Sequence, residues 1–135
     1  MESMIGMLKR HEGLRLKPYQ DTIGKLTIGY GRNLDDRGIS KEEAEYLLKN
    51  DISRVMSEVR GSIDFFDDLN EARQNVLLDM CFNMGLAGLL GFQKMLKSLN
   101  EGNYAKAAEE MLNSKWASQV GNRAKELAKM VKSED

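Results

Sequence analysis

Histidine and cysteine are almost absent from this 135-residue chain, which has one of each, His11 and Cys81. A lone cysteine cannot close an internal disulfide, and the two residues together cannot build a zinc site. One proline and twelve glycines are too few for a collagen-like or low-complexity chain. No apolar run approaches the roughly 18 residues of a membrane span. The N-terminus also lacks the apolar core of a secretory signal. Neither sign of charge dominates: the net charge is -1 and the pI about 5.9. No basic footprint for nucleic acid is present. These absences lead us to expect a soluble chain made in the cytoplasm, with no membrane insertion, no nucleic-acid partner, no metal and no cofactor.

What is present suits one globular domain: 41% of the residues are hydrophobic, enough for a real core. Charge is unevenly placed, with +3 over residues 1–33, -6 over 34–79 and +2 over 80–135. Solvated helix faces explain this more simply than a cationic cleft does.

Residues 12–31 organise the chain. Met4, Ile5, Met7 and Leu8 recur at helical spacing, so residues 2–11 read as a short amphipathic helix closed by Gly13. Glu12 then falls in the last turn, at the negative end of the helix dipole, an arrangement that suits a proton donor. From Leu14 the period changes to two, and Pro18 fits an edge strand. Residues 21–24 form a hairpin turn leading into a strand through Leu26, Thr27 and Ile28. An aspartate at such a polar, partly wet turn has surroundings that suit a base. Two carboxyl groups in unlike environments are the minimum equipment for glycoside hydrolysis. A phosphate-binding loop through Gly29 and Gly31 is excluded, because the spacing matches no glycine-rich fingerprint.

Ser40 and Glu43 form a capping box. Ala44, Leu47, Leu48, Ile52, Val55, Met56 and Val59 follow as one stripe, giving a helix of roughly 20 residues, about 30 Å long. Such a helix suggests a strut joining two lobes. The second half is helical. Leu69, Ala72, Val76, Leu77, Met80, Cys81 and Met84 form a stripe capped by Asp67 or Asp68. Gly85, Gly88 and Gly91 break residues 86–92 into turns or one short helix. Further helices follow over 92–99, from Asn103 through Leu112, and over 124–131. Cys81, Phe82, Trp116 and the methionines are assigned to the core.

The sequence resembles the phage-type lysozymes, the endolysins of the T-even phage kind (glycoside hydrolase family 24). Glu12-Gly13, Tyr19, Asp21, Gly24, Thr27-Ile28-Gly29 and Gly31 carry the likeness at the required spacing. Phe82-Asn83-Met84-Gly85, Gly91-Phe92, Ser114-Lys115-Trp116 and Asn122-Arg123-Ala124 extend it. So many fixed positions between Glu12 and Gly31 coincide by chance about once in 10⁸ or less often.

The resemblance implies an α+β, mostly α, two-lobed fold with a small antiparallel sheet in the N-terminal lobe. Residues 1–135 would form one lysozyme domain. One lobe would cover about 13–60, including the connecting helix, and the other 61–135 plus 1–12, with sugar bound between them. It implies an inverting muramidase that cuts the β-1,4 bond between N-acetylmuramic acid and N-acetylglucosamine in peptidoglycan, for phage-driven lysis. Glu12 would be the general acid, Asp21 the base or electrostatic partner, and Thr27 a holder of the attacking water. Arg123 matches an arginine that pairs with the catalytic glutamate. Gly31, Asn33, Phe82, Asn83 and Lys115 match substrate-binding positions. The partners implied are peptidoglycan glycan strands and a separate holin that releases a monomeric enzyme from the host cytoplasm to the wall.

Three features depart from the family pattern. Arg32 stands where a histidine is common, the connection over 33–40 is short, and the chain is near neutral rather than basic. Near neutrality implies weak long-range attraction to an anionic wall and little loss of activity with salt. A lytic transglycosylase and an inactive wall-binding module are the competing classes. The grouping of Glu12, Asp21 and Thr27 disfavours both.

Overall fold

The computed structural model describes residues 1–133. Helix α1, Met4–Glu12, begins at Ser3, whose hydroxyl accepts the Gly6 N–H at 3.0 Å. It ends at Gly13, where φ is +71°. The chain then enters a three-stranded antiparallel sheet in the order β1 (Arg15–Gln20), β2 (Leu26–Gly29), β3 (Arg32–Asn33). Tyr19 pairs with Thr27 and Gln20 with Leu26, but the register slips between Arg15 and Tyr19. Pro18 lies in that interval and has no N–H to give the ladder.

The two-residue β3 and the following α2, Leu34–Arg37, are not foreseen by the sequence reading. Asn33 caps α2, its side-chain oxygen accepting the Asp36 N–H at 3.0 Å. The capping box forms as expected at the start of α3, Lys41–Ser62. The Glu43 N–H donates to Ser40 Oγ at 3.1 Å, and the Ser40 N–H donates to Glu43 Oε1 at 2.8 Å. Of the long apolar stripe on α3, only Val55 and Val59 are buried.

Helix α4, Glu71–Leu90, is capped by Asn70 and not by Asp67 or Asp68. Those two acids lie in a 3₁₀ turn, Phe66–Asp68, that precedes it. At Gly85, φ is +82° and ψ is 165°, which breaks the helical path before it resumes to Leu90. Residues 86–90 are therefore a continuation of α4 beyond a kink. Helices α5 (Gln93–Asn100), α6 (Tyr104–Leu112), α7 (Lys115–Val120) and α8 (Asn122–Lys132) follow. The short α7, capped by Ser114, is also unforeseen. Among the described residues the fold is thus α+β, with eight α-helices and one small sheet. No single helix among them is long and apolar enough to cross a membrane.

Two compact units divide the chain within α3, Met1–Leu47 and Leu48–Asp135. In the first, the sheet carries α2 against β2 and β3. In the second, α4 packs on α8, and α6 packs on α5 and α8. Val76, Leu77, Met80, Leu89 and Met111 form the centre of that core, all fully buried. Cys81 is buried and unpaired, and burial pushes its thiol pKa up. Phe82, expected in the core, is exposed, as are Met1 and Met4. Among the described residues Arg73 is the one buried cation of this unit, and it ties α4 to the end of α8. Its Nε donates to the Val131 carbonyl at 2.8 Å, Nη2 donates to the Ser133 carbonyl at 2.7 Å, and the guanidinium lies 3.4 Å from the Tyr104 ring centre. A guanidinium suits the negative end of a helix.

Candidate active site

Five of the candidate residues lie in the first unit: Glu12, Asp21, Thr27, Gly31 and Asn33. The local fold there explains where each side chain goes. Glu12 is the last residue of α1, and its carboxyl rests against Gly31, between β2 and β3. A Cβ at Gly31 would stand 3.0 Å from Glu12 Oε2 and 3.2 Å from its Cδ. Only glycine leaves that space, and φ of +91° at Gly31 suits no other residue well.

Asp21 heads the turn between β1 and β2. Its Oδ1 accepts the Ile23 N–H at 3.0 Å and the Lys25 N–H at 2.8 Å, an Asx turn. Backbone bonds close the same turn, from the Gly24 N–H to the Asp21 carbonyl and from the Asp21 N–H to the Lys25 carbonyl. All protein hydrogen bonds to the carboxylate among the described residues fall on Oδ1, which leaves Oδ2 able to accept from something else.

Thr27 is buried, only 3% exposed, and its hydroxyl donates to the Lys25 carbonyl at 2.8 Å. With its proton committed, the hydroxyl can act outward only as an acceptor. Lys25 thus links the candidates, giving its N–H to Asp21 and its carbonyl to Thr27. Asn33 is occupied at the cap of α2, where its amide also donates to Asp36 Oδ2 at 2.9 Å.

A network the sequence did not reveal surrounds this turn. The Leu26 N–H donates to Asp35 Oδ2 at 2.7 Å, and Lys25 Nζ pairs with Asp36 Oδ1 at 3.2 Å. The Lys25 ammonium and then the Asn33 amide hold the Asp36 carboxyl below the usual range. Arg32 makes a two-pronged pair with Glu43, 2.7 Å on each arm, and donates to the Gly38 carbonyl at 3.1 Å. Arg32, followed by the Ser40 amide, pulls the Glu43 carboxyl down to about 2. The position that often holds a family histidine therefore fastens β3 to the start of α3.

The other four candidates lie in the second unit. Phe82 and Arg123 line one groove of about 350 Å³ with Asn75, Leu78 and Asp79. There Arg123 Nε donates to Asp79 Oδ1 at 2.8 Å. Asn83 accepts the Trp116 indole N–H at 2.8 Å, and Trp116 meets Phe92 edge-on with ring centres 5.8 Å apart. Lys115 lines a separate groove of about 560 Å³ with Phe92, Glu110 and Trp116. Asp35 and Asp79 escaped the sequence reading because each meets its partner across 9 and 44 positions, beyond any local motif. Among the described residues no group of three or more His, Cys, Asp or Glu is placed to hold a metal ion.

Comparison with known proteins identifies the family. The Phage lysozyme family model matches residues 9–134. The chain is 29% identical to Probable T4-type lysozyme 1 of Dictyostelium discoideum, over 97% of this chain and 94% of that protein. It is 34% identical to the Endolysin of Acyrthosiphon pisum secondary endosymbiont phage 1, over 86% of this chain and 78% of that one. The Endolysin of Salmonella phage P22 is also 34% identical, over 80% and 77%. A family match across nearly the whole chain, on a fold with a small antiparallel sheet and many helices, makes the protein a lysozyme-type glycoside hydrolase that belongs to the phage lysozyme family.

Proposed function

We propose that the protein is a muramidase that hydrolyses the β-1,4 bond between N-acetylmuramic acid and N-acetylglucosamine in bacterial peptidoglycan, with inversion at the anomeric carbon. The observation that carries this reading is the state of Asp21. Two backbone amides grip one carboxylate oxygen and leave the other unbonded, and the Thr27 hydroxyl, its proton given to the Lys25 carbonyl, has its lone pairs left to accept. A water molecule has two protons to place, and these two groups are two acceptors.

In the proposed reaction Glu12 gives its proton to the glycosidic oxygen as the bond to the anomeric carbon breaks. Asp21 Oδ2 takes one proton from water, Thr27 Oγ1 accepts a hydrogen bond from the other, and the water oxygen attacks the opposite face of the sugar. The products are a new reducing end and a free alcohol, and proton exchange with solvent resets both carboxyls. Inversion calls for room for that water, roughly 6.5–9.5 Å between the carboxyls. Gly31, Asn33, Phe82, Asn83 and Lys115 would contact the glycan, and Arg123 would be a supporting residue.

The biological setting we propose is lysis of a bacterial host by a phage or prophage. The enzyme would work as a monomer, held in the cytoplasm until a separate holin lets it reach the wall. Co-expression with and without such a pore tests the setting. Mass spectrometry of digested peptidoglycan tests the chemistry. Fragments ending in reducing N-acetylmuramic acid are expected, with the α-anomer released first. Anhydro ends would instead show a transglycosylase, and absence of any cleavage a binding module.

A further inference from the structure

The start of β2 is gripped from both sides, and only one of the grips belongs to Asp21. On the β1 side Asp21 Oδ1 holds the Lys25 N–H at 2.8 Å. Successive N–H groups of a strand point to opposite edges, so the Leu26 N–H faces the β3 side. Yet β3 is two residues long and pairs only through Thr27 with Asn33 and Ile28 with Arg32. The chain then turns into α2, and the ladder ends one residue short of Leu26. Asp35 completes it with a side chain, its Oδ2 accepting the Leu26 N–H at 2.7 Å, a short, charge-assisted bond. Its neighbour Asp36 adds a second tie to Lys25 Nζ at 3.2 Å and is itself held by the Asn33 cap. A four-residue helix has little stability of its own, so these bonds define where it sits.

We propose that Asp35 is a positioning residue for the catalytic base. By fixing the Leu26 amide it sets the turn at residues 21–26 and so the direction of the unbonded Asp21 oxygen. The proposal rests on the reading of Asp21 as that base. Asp35 is exposed, so water can satisfy the Leu26 N–H when the carboxylate is removed. Its loss should therefore cost aim more than stability, which separates this role from a merely structural one.

The test measures rate against peptidoglycan concentration for Asp35→Ala and Asp35→Asn, each alone and combined with Asp21→Ala. Asp35→Ala should lower kcat about tenfold, since small misplacements of a reacting group are costly. KM should change less than twofold and the unfolding midpoint by only a few degrees. Asp35→Asn, whose amide oxygen still accepts the Leu26 N–H, should recover most of the rate. In the Asp21→Ala background Asp35→Ala should have no further effect, and amide exchange at Leu26 should quicken in Asp35→Ala alone. A kcat within twofold of wild type in Asp35→Ala, or an equal loss on top of Asp21→Ala, overturns the proposal. A dead Asp21→Ala beside a fully active Asp35→Ala overturns this proposal alone. A fully active Asp21→Ala overturns the base assignment and this proposal with it.

Discussion

Replacing Gly31 with alanine should separate the stability of the sheet from the placement of the Glu12 carboxyl. Two effects act at this position. The backbone has φ of +91°, where an L-residue is strained by about 1–3 kcal/mol. The added methyl would also meet Glu12 Oε2 at 3.0 Å and Cδ at 3.2 Å, so the carboxyl must give by a few tenths of an ångström or rotate away. Gly29 supplies the control. Its φ is +72°, yet nothing lies within 4 Å of a Cβ built there, so Gly29→Ala carries the strain without the collision. At roughly 4 °C per kcal/mol for a chain of this size, both variants should melt about 4–12 °C lower. Their activities should part. Gly31→Ala should lose roughly tenfold to a hundredfold in rate on purified peptidoglycan, while Gly29→Ala keeps most of its rate at a temperature where both are folded. Equal losses in the two variants, or full activity in Gly31→Ala, would refute the placement of Glu12 against Gly31.

Glu43→Gln tests the Arg32 pair through its pH dependence. The folded carboxyl titrates at about 2 against an ordinary value of 4.5, so its contribution is complete above about pH 4.5 and fades as pH falls toward 2. The melting gap between wild type and variant should therefore be constant from neutral pH to about 5 and close below it. A gap that persists unchanged at pH 2 would contradict the pairing. Leu77→Ala removes a side chain with no exposed surface and should cost about 2–5 kcal/mol, read from the urea midpoint. A loss under about 1 kcal/mol would mean that the α4 face is not the core of the second unit.

Elements long enough to show a period were legible in the sequence. The capping box at Ser40 and Glu43, the turn at Asp21 and the helices with full apolar stripes fall where pattern and turn chemistry put them. The two-residue β3 and four-residue α2 carry too few positions to show any period. The cap of α4 was misplaced because Asp67 and Asp68 are good cap residues that spend themselves in a 3₁₀ turn, leaving Asn70 to do the capping. Phe82 sits next to a buried stripe yet faces outward, which composition cannot reveal. The candidate site divides in the same way. Glu12, Asp21 and Thr27 are marked by their spacing within twenty residues. The bonds around them come from residues too far apart in the chain for any local rule, such as Leu26 with Asp35 and Arg32 with Glu43.

The claim that Glu12 is the proton donor is tested most directly by the initial rate of peptidoglycan hydrolysis in Glu12→Gln, with its melting curve recorded alongside. The amide fills the same space against Gly31 but has no acidic proton. A drop of about 10²–10⁴-fold with the melting temperature unchanged is the expected result. A folded Glu12→Gln protein that keeps more than about a tenth of the wild-type rate would contradict the account, since general acid catalysis is then supplied elsewhere.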